Sequence, residues 1–456
     1  MTDIVPDPFG PADGLAVAAM QPRPAKRAAP LRVLFMSHMH PKASRGGAEI
    51  AAYQMYQMMK AQPRTEAYFL AASGGRFQER LGARIQQPFG PDEFVYTGAG
   101  YDHWIQSNPD PEFPAALTAL LHQLRPDVVH LHHYANFGVE ALLYIRRALP
   151  ECKIIVTLHE FLAICNHFGQ MVKRPSFGLC ERAGLRDCAK CFPERSEQDF
   201  FLRIRYLQRF FGLADHFISP SQFLADRYIE WGLDAHRFSV IENGMPEQKH
   251  HAADEPMPPH KDGLIFAFFG QISRLKGIDV LFDAAMLLEK AEVSGFRIEV
   301  HGDYSAQPPE LRAAFERRLE KIPENLRYCG AYENNRVHQL MRSAHAVMAP
   351  SIWWENSPLV IQEALLNRRP VITSDIGGMA EKVRNGLDGF HFQAGSAHSL
   401  AALIKRLAEA PDTLLNLQTT MAVPPSLRET VRMTMRLYRK LLQASGKQLA
   451  ALEMAS

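Results

Sequence analysis

The chain has 456 residues, 46% of them apolar and 22% charged, an ordinary globular composition with material for two or three cores at ~150 residues per domain. Lys and Arg number 51 against 49 Asp and Glu, a balance that argues against nucleic acid as the main partner. No apolar run approaches the ~18 residues of a membrane span, and residues 14–20, preceded by Asp3, Asp7 and Asp13, are wrong for a secretory signal, so a soluble, cytoplasmic protein is the expectation.

Residues 1–30 are rich in Pro, Ala and Gly without periodicity and read as a tail. Residues 31–37 form a short apolar run suited to a buried strand; the Gly46-Gly47 break and a helical pattern over 48–60 follow. This is the opening unit of a parallel α/β domain. Strands are predicted at 127–132, 153–157, 215–219 and 238–241, and helices at 137–149, 198–212 and 221–230, the last capped by Ser221.

Residues 242–262 hold four prolines and three histidines and read as a linker. The pattern then restarts. Strands are predicted at 264–270, 297–301, 326–329, 344–349 and 371–374, with helices at 278–290 and 357–367. A final helix at 426–443 follows Pro424-Pro425 and could pack on either unit. The organisation is therefore an α/β domain at 31–241, a linker, a second α/β domain at 263–425, and a C-terminal helix and tail at 426–456. Ligands of such sheets bind beyond the carboxyl ends of the strands, here in a cleft between two of them.

The richest segment is Ala349-Pro-Ser-Ile-Trp-Trp-Glu-Asn-Ser-Pro-Leu-Val-Ile-Gln-Glu363. A strand ends, a loop carries Glu355, and Ser357-Pro358 is predicted to open a helix as N-cap and first residue. The free N–H groups of Leu359 and Val360 then offer a phosphate site, and Glu355 and Glu363 reach one ligand from one side. Phe269-Gly-Gln-Ile-Ser-Arg-Leu-Lys-Gly277 follows a strand; Gly270 permits close approach, and Arg274 and Lys276 bring two cations to a departing anion.

These two segments resemble the E-x7-E and diphosphate-binding elements of retaining family-4 glycosyltransferases of the GT-B fold. The resemblance covers roughly residues 31–440. It implies two Rossmann-like domains and a nucleoside diphosphate sugar as donor. The hexosyl group would pass to a saccharide or lipid-linked saccharide by front-side attack, with no cofactor or metal required for catalysis. Glu355 would contact the donor sugar and Glu363 the ribose. Gly46 and Gly47 would approach the diphosphate from the other domain, Gly377 and Gly378 would lie beside the donor, and His159, in Thr157-Leu-His159-Glu160, would reach the sugar near its reacting carbon. Glu49 reads as a partner of the helix dipole rather than a catalyst.

Three features lie outside this core. His130, His132 and His133 end a strand and read as acceptor-side lining or packing rather than as a metal site. Cys165, Cys180, Cys188 and Cys191 form a C-x14-C-x7-C-x2-C loop, also found in a subset of the family. Structural zinc and free thiols both fit it. In residues 200–211 aromatics interleave with Arg203, Arg205 and Arg209. The preferred reading is a core helix with snorkelling arginines; a face for peripheral contact with an anionic membrane, at its inner surface, is the other. Two competing functions remain open: a sugar-nucleotide epimerase of the same fold, and a silent nucleotide-sugar-binding protein.

Overall fold

The computed structural model describes residues 29–44, 46–73, 84–98, 100–174, 176–246 and 256–444. The tail predicted at 1–30 lies almost wholly outside these, as do residues 247–255 of the linker and the end of the C-terminal tail.

The chain folds as two parallel α/β sheets. The N-terminal sheet holds β1 (Leu31–Ser37), β2 (Thr65–Ala72), β3 (Ile85–Gly90), β4 (Glu93–Tyr96), β5 (Val128–Leu131), β6 (Lys153–Thr157), β7 (His216–Ser219) and β8 (Phe238–Val240). Their order is β3-β4-β2-β1-β5-β6-β7-β8, and only the β3–β4 pair is antiparallel. The second sheet holds β9 (Leu264–Phe269), β10 (Phe296–His301), β11 (Leu326–Gly330), β12 (Ala346–Ala349), β13 (Val371–Ser374) and β14 (Gly389–Phe392), in the order β11-β10-β9-β12-β13-β14. Central strands such as β1 and β9 are covered on both faces, which is why they read as nearly unbroken apolar runs.

Local chemistry sets the helix starts. Ser221 Oγ accepts from the Leu224 N–H at 3.2 Å, as predicted. The C-terminal helix Leu427–Gln443 opens with a reciprocal capping box between Ser426 and Glu429. This helix returns to the N-terminal sheet, where Tyr438 Oη lies 2.6 Å from His130 Nδ1. The sequence left its partner open; the structure assigns it.

The two units are tied by specific contacts. The Glu381 carboxylate accepts the N–H groups of Gln222 and Phe223, at 2.8 Å each, at the start of the helix Gln222–Glu230. Lys382 Nζ lies 2.5 Å from Glu242, and Gln362 donates to Glu242 and to the Asn243 carbonyl. Trp354 is buried among side chains of the N-terminal core, its ring 5.1 Å from that of Phe223. Among the described residues no helix is long and apolar enough to cross a membrane.

Candidate functional site

The carboxyl ends of both sheets face a cleft of about 620 Å³. From the N-terminal unit it is lined by His38, Gly46, Gly47, Glu49, His133, His159 and Glu160. The other wall comprises Gly270, Lys276, Tyr332, Trp353, Glu355, Ser357, Leu359 and Val360. Most residues predicted for the site therefore converge on one cavity.

Glu355 is the best anchored of them. Its Oε1 accepts from Lys276 Nζ at 2.5 Å, Trp353 Nε1 at 2.8 Å and Ser351 Oγ at 2.9 Å. Burial pushes the carboxyl up, but Lys276 and the two neutral donors outweigh it and hold it below the usual range. Lys276 is thus paired to Glu355 rather than free for a diphosphate alone. The loop is held from behind: the Gly378 N–H donates to the Glu355 carbonyl at 2.7 Å, and a Cβ on Gly378 would meet the Asn356 oxygen at 1.8 Å. Gly377 and Gly378, predicted as donor contacts, thus buttress the Glu355 loop and are not on the cavity wall. Gly277, with φ +76°, plays a like part: a Cβ there would meet the Pro350 carbonyl at 1.9 Å.

Two more expectations change. Ser357 does not cap the following helix; Pro358 is the N-cap of Leu359–Leu366 with extended backbone, and Ser357 Oγ is buried without a partner. The hydroxyl and the first N–H groups of the helix are left facing the cleft. Arg274 is exposed and sits over the Phe177 ring, 4.3 Å from its centroid, away from the cavity wall. The cysteine-bearing segment that carries Phe177 thereby reaches across to the second unit, as it does where Trp354 Nε1 donates to the Cys180 carbonyl at 3.1 Å.

Glu363 lies one turn into the helix beside Tyr332. Its carboxyl has no hydrogen-bond partner among the described residues, and burial pushes it up to about 7. Across the cleft, His159 Nε2 lies 3.2 Å from His132 Nδ1, and burial lowers His159 to about 3, so the ring is neutral. His130 packs between Tyr438 and Thr157, whereas His133 lines the cleft. Glu49 proves more than a dipole partner: it is buried, lies 3.3 Å from His38 and accepts from Ser44 Oγ. Burial raises its carboxyl, yet His38 and Ser44 bring it down to about 2.

Sequence reasoning missed His38, and Glu160 as a wall residue, and its reading of Arg203 is corrected by the structure. His38 directly follows β1, so the strand-end rule could have found it. Arg203 does not snorkel. It is fully buried and donates to the carbonyls of Trp104, Ala163 and Leu162, which fixes the segment just after Glu160. None of the four loop cysteines is in a disulfide, and Cys188 feels the charges of Cys165, Cys180 and Cys191, so the four are neighbours. Among the described residues the one group of three metal-ligating atoms within 4.8 Å of one another is Glu299, His301 and Cys329; the loop thiols are spaced more widely than that.

Known proteins share this architecture. Residues 45–249 match the Glycosyltransferase Family 4 sequence model, and residues 252–421 match that of Glycosyl transferases group 1. A D-inositol 3-phosphate glycosyltransferase of Nocardia farcinica is 30% identical over 205 residues, 42% of this chain and 45% of the relative. A lipopolysaccharide 1,2-N-acetylglucosaminetransferase of Salmonella typhimurium is 28% identical over 183 residues, 38% and 48% of the two chains. These alignments span less than half of either relative. Among solved structures, Anabaena HepE in complex with UDP superposes with a TM-score of 0.64 at 17% identity, covering 90% of this chain and 100% of that one. Sucrose-phosphate synthase of Thermosynechococcus elongatus gives 0.65 at 17% identity, covering 91% and 100%. With both halves matched and a GT-B fold enclosing the cleft, the chain belongs to the group 1 and family 4 glycosyltransferases.

Proposed function

We propose that the protein transfers a hexosyl group from a nucleoside diphosphate sugar to a hydroxyl of a saccharide or lipid-linked saccharide, with retention and without a catalytic metal. The observation that carries this reading is the convergence on one cleft of the Gly46-Gly47 turn, the helix start at Leu359, the Lys276–Glu355 pair and His159. UDP and UDP-glucose, named in structures of Anabaena HepE, favour a uridine donor.

The diphosphate would sit between the glycine turn and the N–H groups of Leu359 and Val360, where the positive helix end favours the charge it gains. Lys276 supplies a fixed cation beside it, and Arg274 a second once its guanidinium leaves Phe177. Glu363 would accept the ribose hydroxyls and Glu355 would hold the sugar. The acceptor oxygen bonds to the anomeric carbon on the face from which the diphosphate departs, and its proton passes to the departing phosphate oxygen. His159, neutral, hydrogen-bonds the sugar near that carbon.

Exposed Phe201 and Leu202, on one helix with exposed Arg205, support peripheral contact with an anionic membrane. A thermal-shift panel of UDP-, GDP- and ADP-sugars tests the donor. At about a hundredfold excess over Kd, a true donor adds about 3 kcal/mol of stability. No shift with any of them, or turnover of the sugar nucleotide to an isomer without acceptor, would overturn the proposal.

A further inference from the structure

The segment that reaches from the N-terminal unit to Trp354 has little core of its own. Between Val172 and Phe200 no described residue is buried. The helix inside it, Leu185–Cys191, is seven residues long and buries no side chain, too short to hold itself. Yet the segment is closely placed. Val172 and Leu179 pair as a bridge, Trp354 Nε1 donates to the Cys180 carbonyl at 3.1 Å, and Arg227 Nη1 donates to the Glu181 carbonyl at 2.7 Å. A stretch that buries so little apolar surface needs a staple, either a disulfide or a metal ion.

Four half-buried cysteines meet there. Cys188 and Cys191 share a helix face at i, i+3. The Arg174 N–H donates to Cys191 Sγ at 3.3 Å, which sets the bridged hairpin against that helix. Cys180 leaves the same hairpin, its N–H bonded to the Met171 carbonyl at 2.8 Å, and Cys165 closes the turn begun at Phe161. Each of Cys165, Cys180 and Cys191 acts on Cys188, and Cys180 acts on Cys165. Four thiols suit a soft ion of tetrahedral preference. The counter-charge is already in place. Arg203 is buried and donates to three carbonyls, which solvate a guanidinium without neutralising it, and its charge reaches Cys165 and Cys188. A divalent ion with four thiolates is net negative and would balance it. Burial pushes the Cys165 thiol up to about 11 and that of Cys188 up to about 12. Such thiols are weak nucleophiles at neutral pH, which favours a structural role over a catalytic one, and a coordinated ion ionises them outright.

We propose that Cys165, Cys180, Cys188 and Cys191 bind one zinc ion, which holds their segment against Trp354 and so supports the Glu355 loop from the N-terminal side. The thiols stand farther apart than the sulfurs of a closed tetrahedral set, which lie about 3.8 Å from one another at a Zn–S length of about 2.3 Å. A change of χ1 rotamer carries a Sγ about 3 Å, and the ion would draw the four in. The role is structural, so the inference stands apart from the transfer reaction.

The test uses the full chain, purified in reducing buffer without chelator, and reads its metal content by elemental analysis. About one zinc per chain is expected. Cobalt(II) in its place should give an intense thiolate-to-cobalt charge-transfer band and the d–d bands of a tetrahedral site. Cys188→Ser is expected to lose the zinc and Cys329→Ser to keep it, which also separates this site from the Glu299, His301 and Cys329 group. Should Cys188→Ser fail to fold, the unmodified chain gives the same answer: an organomercurial is expected to release the zinc as the loop thiols react. Zinc removal should red-shift the tryptophan emission, and Trp354→Phe should shrink that shift, because Trp354 is bonded to the Cys180 carbonyl. A chain without zinc, iron in its place, or loop thiols found as disulfides by mass spectrometry overturns the inference. So does zinc kept by Cys188→Ser or lost from Cys329→Ser. Emission unchanged by zinc removal overturns the support of Trp354.

Discussion

Asn356 Nδ2 donates to the main-chain carbonyl of His159 at 2.8 Å. The neighbour of Glu355 in one unit thus holds the backbone of the histidine on the opposite wall, a direct tie across the cleft beside those made by Glu381 and Trp354. The bond orients both walls before any ligand arrives, the kind of preorganisation that catalysis by positioning needs.

Asn356→Ala should therefore lower transfer more than it lowers stability. Loss of this half-buried bond costs about 1–3 kcal/mol in a urea titration. The transfer rate should fall about tenfold or more, with the UDP-induced thermal shift preserved. Equal losses in transfer and UDP binding would show that Asn356 only holds the fold.

Lys276→Ala leaves the Glu355 carboxylate buried with two neutral donors and no cation. A loss of about 2 kcal/mol or more is expected near neutral pH. Because Glu355 is held below its ordinary range, the wild-type pair contributes its stability above about pH 4.5 and loses it as pH falls through the folded-state value. The gap between wild type and variant should close in acid. Lys276→Met with Glu355→Gln should recover stability without recovering transfer, read by chemical denaturation and product assay on one preparation.

Glu363 runs the other way. Burial lifts its carboxyl from the ordinary 4.5 to about 7, so between these values the folded chain keeps a proton the unfolded chain has released. Stability from this group therefore falls as pH rises through that window. Glu363→Gln should match wild type in Tm at about pH 5 and exceed it at about pH 8. It should also bind UDP more weakly at the higher pH, where the wild-type carboxylate accepts the ribose hydroxyls. A variant less stable than wild type at both pH values would contradict the assigned burial.

Glu381→Ala removes a cap that one unit supplies to a helix of the other. About 1 kcal/mol should be lost, and calorimetry should show the unfolding of the two units separating, since the contact couples them. A single transition shifted as a whole would mean that Trp354 and Gln362 suffice to hold the units together.

Much of this architecture is legible in the residues. The strands at 31–37, 153–157 and 371–374 and the helix at 278–290 occur with those bounds, because buried parallel strands and a helix entered through Gly277 leave strong local patterns. β2, although apolar, was not singled out, and the β3–β4 hairpin at the sheet edge carries Gln86, Gln87 and Pro88, which break any alternation. The site divides in the same way. Glu355, Lys276 and His159 follow strand ends and were legible from position. The orphaned Ser357 hydroxyl, the Arg274 guanidinium stacked on Phe177 and the buried Arg203 depend on contacts between residues far apart in the chain, which periodicity does not encode.

The return of the C-terminal helix has a mechanical consequence. The chain passes between the units once at 242–262 and again before Leu427, and the two passages are bonded to each other: the Met245 N–H donates to the Pro425 carbonyl at 2.9 Å, and the Leu427 N–H to the Met245 carbonyl at 2.7 Å. The lobes are therefore joined by a paired connection rather than by one swivelling chain, and cutting either passage would remove both of these bonds.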